Sequence, residues 1–125
     1  MSTILIVEDN EKNMKLLRDI LQHIGHATLE ATTGEDCVRL AIAHRPDLVL
    51  MDIHLPRMGG IAALQQIREQ PSLAAVPVIA VSASVMPDDR RNITDSGFDA
   101  YVTKPVSLKP FLAVVARLLN EGRSI

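Results

Sequence analysis

Apolar residues in this chain follow two rhythms: short unbroken runs, and longer stretches in which they recur every three or four positions. The runs are Thr3-Ile4-Leu5-Ile6-Val7, Leu48-Val49-Leu50-Met51 and Val78-Ile79-Ala80-Val81, with weaker ones at His26 to Ala31 and at Ala100-Tyr101-Val102. A continuous apolar run reads as a strand covered on both faces, the kind found in parallel sheets. Between the runs, Met14, Leu17, Leu21 and Ile24 predict a first helix that stops at Gly25. Cys37, Leu40 and Ala41 share a face of a second helix over Gly34 to Ala43, capped by Thr33 and ended by Arg45-Pro46; Cys37 then reads as a small core residue. Ile61, Leu64 and Ile67 form a third helix between Gly59-Gly60 and Gln70-Pro71, and an irregular loop leads on to Pro77. Pro87, with Asp88 and Asp89 at its positive end, starts a fourth helix running to Asp95 or Ser96. Ile93 is its one strongly apolar residue after Met86, so it is weakly anchored. Ser107 reads as the cap of the last helix, whose core face is Leu108, Phe111, Leu112, Val115, Leu118 and Leu119.

Five strands alternating with five helices predict an α/β fold, a doubly wound parallel sheet with right-handed crossovers. The pattern does not dictate strand order. In the flavodoxin-like order 2-1-3-4-5, strands one and three are neighbours at the switch point, where such sheets bind ligands. A chain of 125 residues is the size of one domain, so residues 1–125 are expected to be a single unit. With 13 basic against 15 acidic residues and no basic stripe, binding to nucleic acid is not expected. No apolar stretch reaches the ~18 residues of a membrane span, and the first residues lack the form of a secretory leader. One cysteine cannot form an internal disulfide, and the expectation is a cytoplasmic protein.

The chemistry gathers at strand ends. The first strand stops at Glu8-Asp9, the third at Asp52, the fourth at Ser82 and the fifth runs into Lys104. Taken alone, Asp52 suits a turn-starting residue as well as a reactive one. In the order 2-1-3-4-5, however, Glu8, Asp9 and Asp52 converge, and each close pair of carboxylates at 4 Å costs about 4 kcal/mol at an effective dielectric of 20. Either a raised carboxyl pKa or a bound cation compensates, and oxygen ligands without a His or Cys cluster suit Mg²⁺, with Mn²⁺ possible as a substitute. Carboxylate, metal, ammonium and hydroxyl are the parts needed to accept and hold a phosphoryl group.

On Glu8-Asp9, Asp52, Pro56-Arg57-Met58-Gly59-Gly60, Ser82-Ala83, Tyr101 and Lys104-Pro105, the sequence resembles the receiver domains of two-component response regulators, over essentially its whole length. The resemblance implies that Asp52 is the phosphoacceptor, loaded from a histidine kinase or histidine phosphotransfer protein. It implies Asp9, Asp52 and the backbone carbonyl of His54 as Mg²⁺ ligands, with Glu8 acting through water. It implies that Lys104 contacts the phosphoryl group, that Ser82 swings in to bond it, and that Tyr101 follows, changing the face made by the fourth helix, last strand and last helix for a downstream protein target. A cis Lys104-Pro105 peptide is also implied, as are roles for His54 and Ser84 in setting the lifetime of the phosphorylated form. Gly59 departs from the acidic residue common there in the family, which loosens the loop. With few residues after the last helix and no output domain, the expectation is a stand-alone receiver that catalyses only its own phosphorylation and dephosphorylation.

Three other classes share parts of this chemistry. A phosphatase of the haloacid dehalogenase type also uses an Asp nucleophile and Mg²⁺, but its Asp-x-Asp pattern is broken here by His54. A flavodoxin-like binding module needs a Gly- or Ser/Thr-rich phosphate loop after strand one, where this chain has Glu8-Asp9-Asn10-Glu11. A receiver-like module that binds without phosphorylation would be expected to lack Asp9, Asp52 or Lys104, and all three are present. Without the resemblance, Tyr101 is a half-buried strand residue and His54 a solvated loop residue; His23, His26 and His44 carry no assignment.

Overall fold

The structure is a computed structural model that describes residues 2–55, 58–82 and 97–122. Five parallel strands, β1 (Thr3–Val7), β2 (Ala27–Ala31), β3 (Leu48–Asp52), β4 (Val78–Ser82) and β5 (Ala100–Thr103), form one sheet in the order β2-β1-β3-β4-β5. Four α-helices are described: α1 (Glu11–His23), α2 (Gly34–His44), α3 (Gly60–Glu69) and α4 (Leu108–Glu121). The helix expected from Pro87, with Met86 and Ile93, lies outside the described residues, as do Pro56, Arg57 and Ser84.

The continuous apolar runs work as two alternating sets. Leu5, Val7, Val49, Met51, Val78 and Ala80 face a core completed by Cys37 and Ala41 of α2 and by Ala63, Leu64 and Ile67 of α3. Ile4, Ile6, Leu48, Leu50, Ile79 and Val81 face the other way, onto Met14, Leu17 and Leu21 of α1 and Phe111, Val115 and Leu118 of α4. β1, β3 and β4 thus alternate between two apolar layers rather than between core and water, and for this reason their runs show no polar interruption before the last residue, whereas β2, with Thr28 and Glu30, and β5 are only partly covered. Every residue of β3 and β4 is buried.

Local signals fix the element ends. Thr33 caps α2 by accepting from Asp36 N at 3.1 Å, and Asn10, which the periodicity did not single out, caps α1 by accepting from Asn13 N at 3.0 Å. Gly25, at φ +98, turns the chain after α1. Residues 71–73 form a short 3₁₀ turn inside the expected loop, and Leu73 from it is buried.

Three expectations need correction. Ile24 follows the last residue of α1 as its cap and is 44% exposed, because the helical face it would continue has already ended. Leu108 is 53% exposed, standing in the first turn of α4 before that helix meets the sheet. Ser107 occupies the cap position of α4, but its side chain makes no capping hydrogen bond.

At the start of β4, Asp99 accepts from Val78 N at 2.8 Å and pairs with Arg68 of α3 at 3.0 Å, while Arg68 also donates to the carbonyl of Val76 at 2.7 Å. This mostly buried junction fastens the α3–β4 connection to β5.

Cys37 is fully buried in the α2 layer, and burial pushes its thiol up to about 12. The thiolate is the reactive form. Alkylation by iodoacetamide at about pH 8 is therefore expected to be orders of magnitude slower in the folded protein than in urea. Labelling of the native protein at the rate of a free thiol would show that α2 does not cover Cys37.

Candidate functional site

Parallel strands end together, so the residues just past each of them meet at one edge of the sheet. Glu8 lies one residue beyond β1, with its N–H bonded to the carbonyl of Ala31 at 3.0 Å. Asp52 is the last residue of β3, directly beside Val81 of β4. Ser82 ends β4 opposite Thr103, and the N–H of Lys104 donates to the carbonyl of Ser82 at 2.9 Å. Glu8, Asp52 and Ser82 are all buried, with exposures of 1%, 4% and 0%.

Lys104 joins the acidic groups. Its Nζ lies 2.9 Å from Oε2 of Glu8 and 3.1 Å from Oδ2 of Asp52. The peptide bond to Pro105 is cis, as the resemblance implied. The other oxygen of Asp52, Oδ1, accepts the backbone N–H of His54 at 2.9 Å. Glu8 Oε1 accepts from Asn10 N at 3.3 Å and from Asn13 Nδ2 at 3.4 Å. Asp9 is exposed, and it borders an open cleft of about 430 Å³ with Glu8, Glu11, Lys15 and Arg18.

Carboxylate oxygens of Glu8, Asp9 and Asp52 lie within 4.8 Å of one another. Burial holds the Glu8 carboxyl above its ordinary value, with the Asp52 charge adding to the rise and the Lys104 hydrogen bond opposing it. Burial acts against the Lys104 ammonium too, but its hydrogen bonds to Glu8 and Asp52 outweigh that and hold it charged, its pKa raised. Three carboxylates against one ammonium leave two negative charges, which one divalent cation cancels. The donor set fits Mg²⁺ on two further grounds. The donors are all oxygen, and Glu8 Oε2 is buried and accepts no hydrogen bond among the described residues while facing the lysine charge.

The loop after Asp52 is held close. A Cβ at Gly60, the first residue of α3, would stand 2.6 Å from the Asp52 carbonyl oxygen and 2.9 Å from Ile53 Cα. Only glycine lets the helix start there, and the Gly60 N–H donates to the carbonyl of Ile53 at 3.1 Å. Met58 lies against Gly34 at the start of α2, where an added Cβ would meet its Sδ at 3.0 Å. Tyr101 is half-buried on β5 and packs against the α2–α3 layer. It also borders a shallow hollow of about 250 Å³ with Ser107, Pro110 and Phe111 of the α4 side.

All the described residues expected at the site are therefore brought to one edge, except that Tyr101 stands off from the carboxylates. His54 does more than expose a carbonyl: its ring Nε2 lies 3.3 Å from Ser82 Oγ. Asn13 and Asn10 were not anticipated as parts of the site, and Gly60 was read only as belonging to the stretch that follows Asp52 and leads into the third helix. Of these, Asn10 carried a readable signal, a capping residue directly after the acidic pair.

Residues 4–116 match the model of the response regulator receiver domain. The chain belongs to that family. It is 40% identical over 120 residues to the polar-differentiation response regulator DivK of Brucella anthropi, covering 96% of this chain and 98% of the relative. Its fold matches the receiver domain of a sensor histidine kinase from Pseudomonas aeruginosa PAO1, solved with a magnesium ion coordinated in the active site cleft: TM-score 0.90, 32% identity, 96% and 98% of the two chains covered. The receiver domain of a signal transduction histidine kinase from Syntrophus aciditrophicus superposes with TM-score 0.89 at 33% identity, over 100% and 97%. The chemotaxis protein CheY4 of Vibrio cholerae shares the fold, at TM-score 0.88 and 21% identity over 94% and 98%. This receiver keeps the expected sheet order, and no helix among its described residues is long and apolar enough to cross a membrane.

The raised Glu8 value carries a pH consequence in metal-free buffer. Below the ordinary Glu range the carboxyl is protonated in both folded and unfolded chains, and the folded state loses nothing. As pH rises through the raised folded value, the unfolded chain releases its proton more readily and stability falls. Glu8→Gln lacks this titration. In EDTA its urea midpoint is therefore expected to rise relative to that of the wild type as the pH climbs above the ordinary Glu range. Parallel pH curves for the two proteins would contradict the burial cost assigned to Glu8.

Proposed function

We propose that this receiver accepts a phosphoryl group on Asp52 from a phosphohistidine of a histidine kinase or phosphotransfer protein, and passes the signal on through contacts with a downstream protein. The observation that carries the reading is the buried Asp52 carboxylate, held at Oδ1 by the His54 N–H and at Oδ2 by Lys104 at the end of a parallel strand. Held at both oxygens, it is presented in one orientation to an incoming phosphorus atom.

In the transfer, a bond forms between an Asp52 oxygen and phosphorus, and the phosphorus–nitrogen bond of the donor breaks, its electron pair leaving with the imidazole. Asp52 thereby exchanges a single carboxylate charge for the larger charge of an acyl phosphate. Lys104, already 3.1 Å from Oδ2, is placed to follow that charge outward onto a phosphoryl oxygen while keeping Glu8. Asp9, Asp52 and the carbonyl of His54 would hold Mg²⁺, with Glu8 acting through water. Bound there, the ion supplies positive charge to the phosphoryl oxygens. Ser82 supplies a hydroxyl to the same group from the end of β4, and Tyr101 answers the movement on the neighbouring strand, altering the face beside α4.

The chemistry is the receiver's own loading and unloading, with no separate substrate turned over. The likeness to DivK along nearly the whole of both chains supports a single receiver domain over residues 1–125, and the even balance of charge in the sequence, with no basic stripe, supports a protein rather than a nucleic acid as its target.

Intact mass after incubation with Mg²⁺ and acetyl phosphate tests this. The wild type is expected to gain one phosphoryl mass, the gain lost in EDTA and in Asp52→Asn. An unmodified wild type after incubation with phosphorylated histidine proteins as well, or an equal gain in Asp52→Asn, would overturn the assignment.

A further inference from the structure

The ring of His54 has no task in the transfer described above, yet it is not simply in solvent. His54 stands exposed on the loop after β3, and its Nε2 reaches 3.3 Å from Oγ of Ser82, which is fully buried. Its backbone N–H meanwhile donates to Asp52 Oδ1 at 2.9 Å. One residue thus touches the carboxylate through its main chain and the strand-end hydroxyl through its side chain.

A phosphoryl oxygen on Asp52 only accepts hydrogen bonds, and a serine hydroxyl has one proton to give. Where Ser82 donates to Nε2, that proton is committed. Where Nε2 carries the proton, the ring instead fixes the position of Oγ. In both arrangements the hydroxyl has to leave the imidazole, or turn beside it, before it bonds a group on Asp52. We infer that the His54 imidazole is a positioning residue that latches the Ser82 hydroxyl in its resting place, so that loading Asp52 competes with the His54–Ser82 bond. The inference rests on the reading of Asp52 as phosphoacceptor and Ser82 as its hydroxyl partner. A side-chain hydrogen bond of this kind biases a two-state element by about five-fold.

Beryllofluoride, a stable phosphoryl mimic, tests the latch in the presence of Mg²⁺. The chain has a single tyrosine, so the fluorescence of Tyr101 reports the titration without other tyrosines. His54→Ala is expected to bind the mimic about five-fold more tightly than wild type. His54→Gln, whose amide can again reach Ser82, is expected to return most of the way to the wild-type value. In a Ser82→Ala background, His54→Ala is expected to change nothing, because the group it restrained is gone. Unchanged or weaker binding in His54→Ala, or the same gain with Ser82 absent, would overturn the latch while leaving the phosphoacceptor reading intact. Equal binding by Asp52→Asn and wild type would instead overturn that reading and the latch with it.

Discussion

Among the described residues, Lys104 is the positive charge that both buried acids of the site share. Glu8 and Asp52 are both buried, and both reach the same ammonium within 3.1 Å. Two buried carboxylates this close would repel by several kcal/mol without it. Burial resists charge on the lysine as well, and the hydrogen bonds it makes to the two acids outweigh that resistance. The two acids thus keep the ammonium charged, and the ammonium lessens their mutual repulsion. With Asp9 counted, the cluster keeps a net charge of two negative units, which one divalent cation would balance.

That charge cluster exists because of the sheet. β1, β3, β4 and β5 run in the same direction and side by side, in an order that places β1 against β3 and β5 against β4. Apolar layers on both faces hold the strands in register, leaving the residues just past their ends no freedom to separate. Gly60 sharpens this, since α3 starts almost on the backbone of Asp52 and Ile53. Packing in the core and charge at the edge are consequently one problem: moving α3 outward to admit a side chain at position 60 would disturb the backbone of Asp52.

Much of this was legible in the sequence. β1, β3 and β4 announced themselves because both of their faces are buried, and the chemistry did so because carboxylates, a hydroxyl and a lysine each followed an apolar run. Strand order was not contained in periodicity, because a pattern along one strand says nothing of which strand lies beside it. Ile24 and Leu108 were misplaced because helical spacing identifies a face but not where the neighbouring sheet ends. Hydrogen bonds across the site, from Asn13 to Glu8 and between His54 and Ser82, link residues of ordinary type that the sequence does not mark as partners. Nothing in either residue's local setting signals its partner, whereas the Lys104 contacts could be anticipated from charge alone.

The dependence on Lys104 is tested most directly by Lys104→Met, which keeps the length of the side chain and removes its charge. Thermal unfolding in EDTA and again in millimolar Mg²⁺ compares the two states of compensation. The variant is expected to be several degrees less stable than wild type in EDTA, by about 2 kcal/mol or more, with much of the deficit restored by Mg²⁺. Equal stability of the two proteins in EDTA would contradict the dependence, because buried Glu8 and Asp52 would then be tolerated without their shared cation.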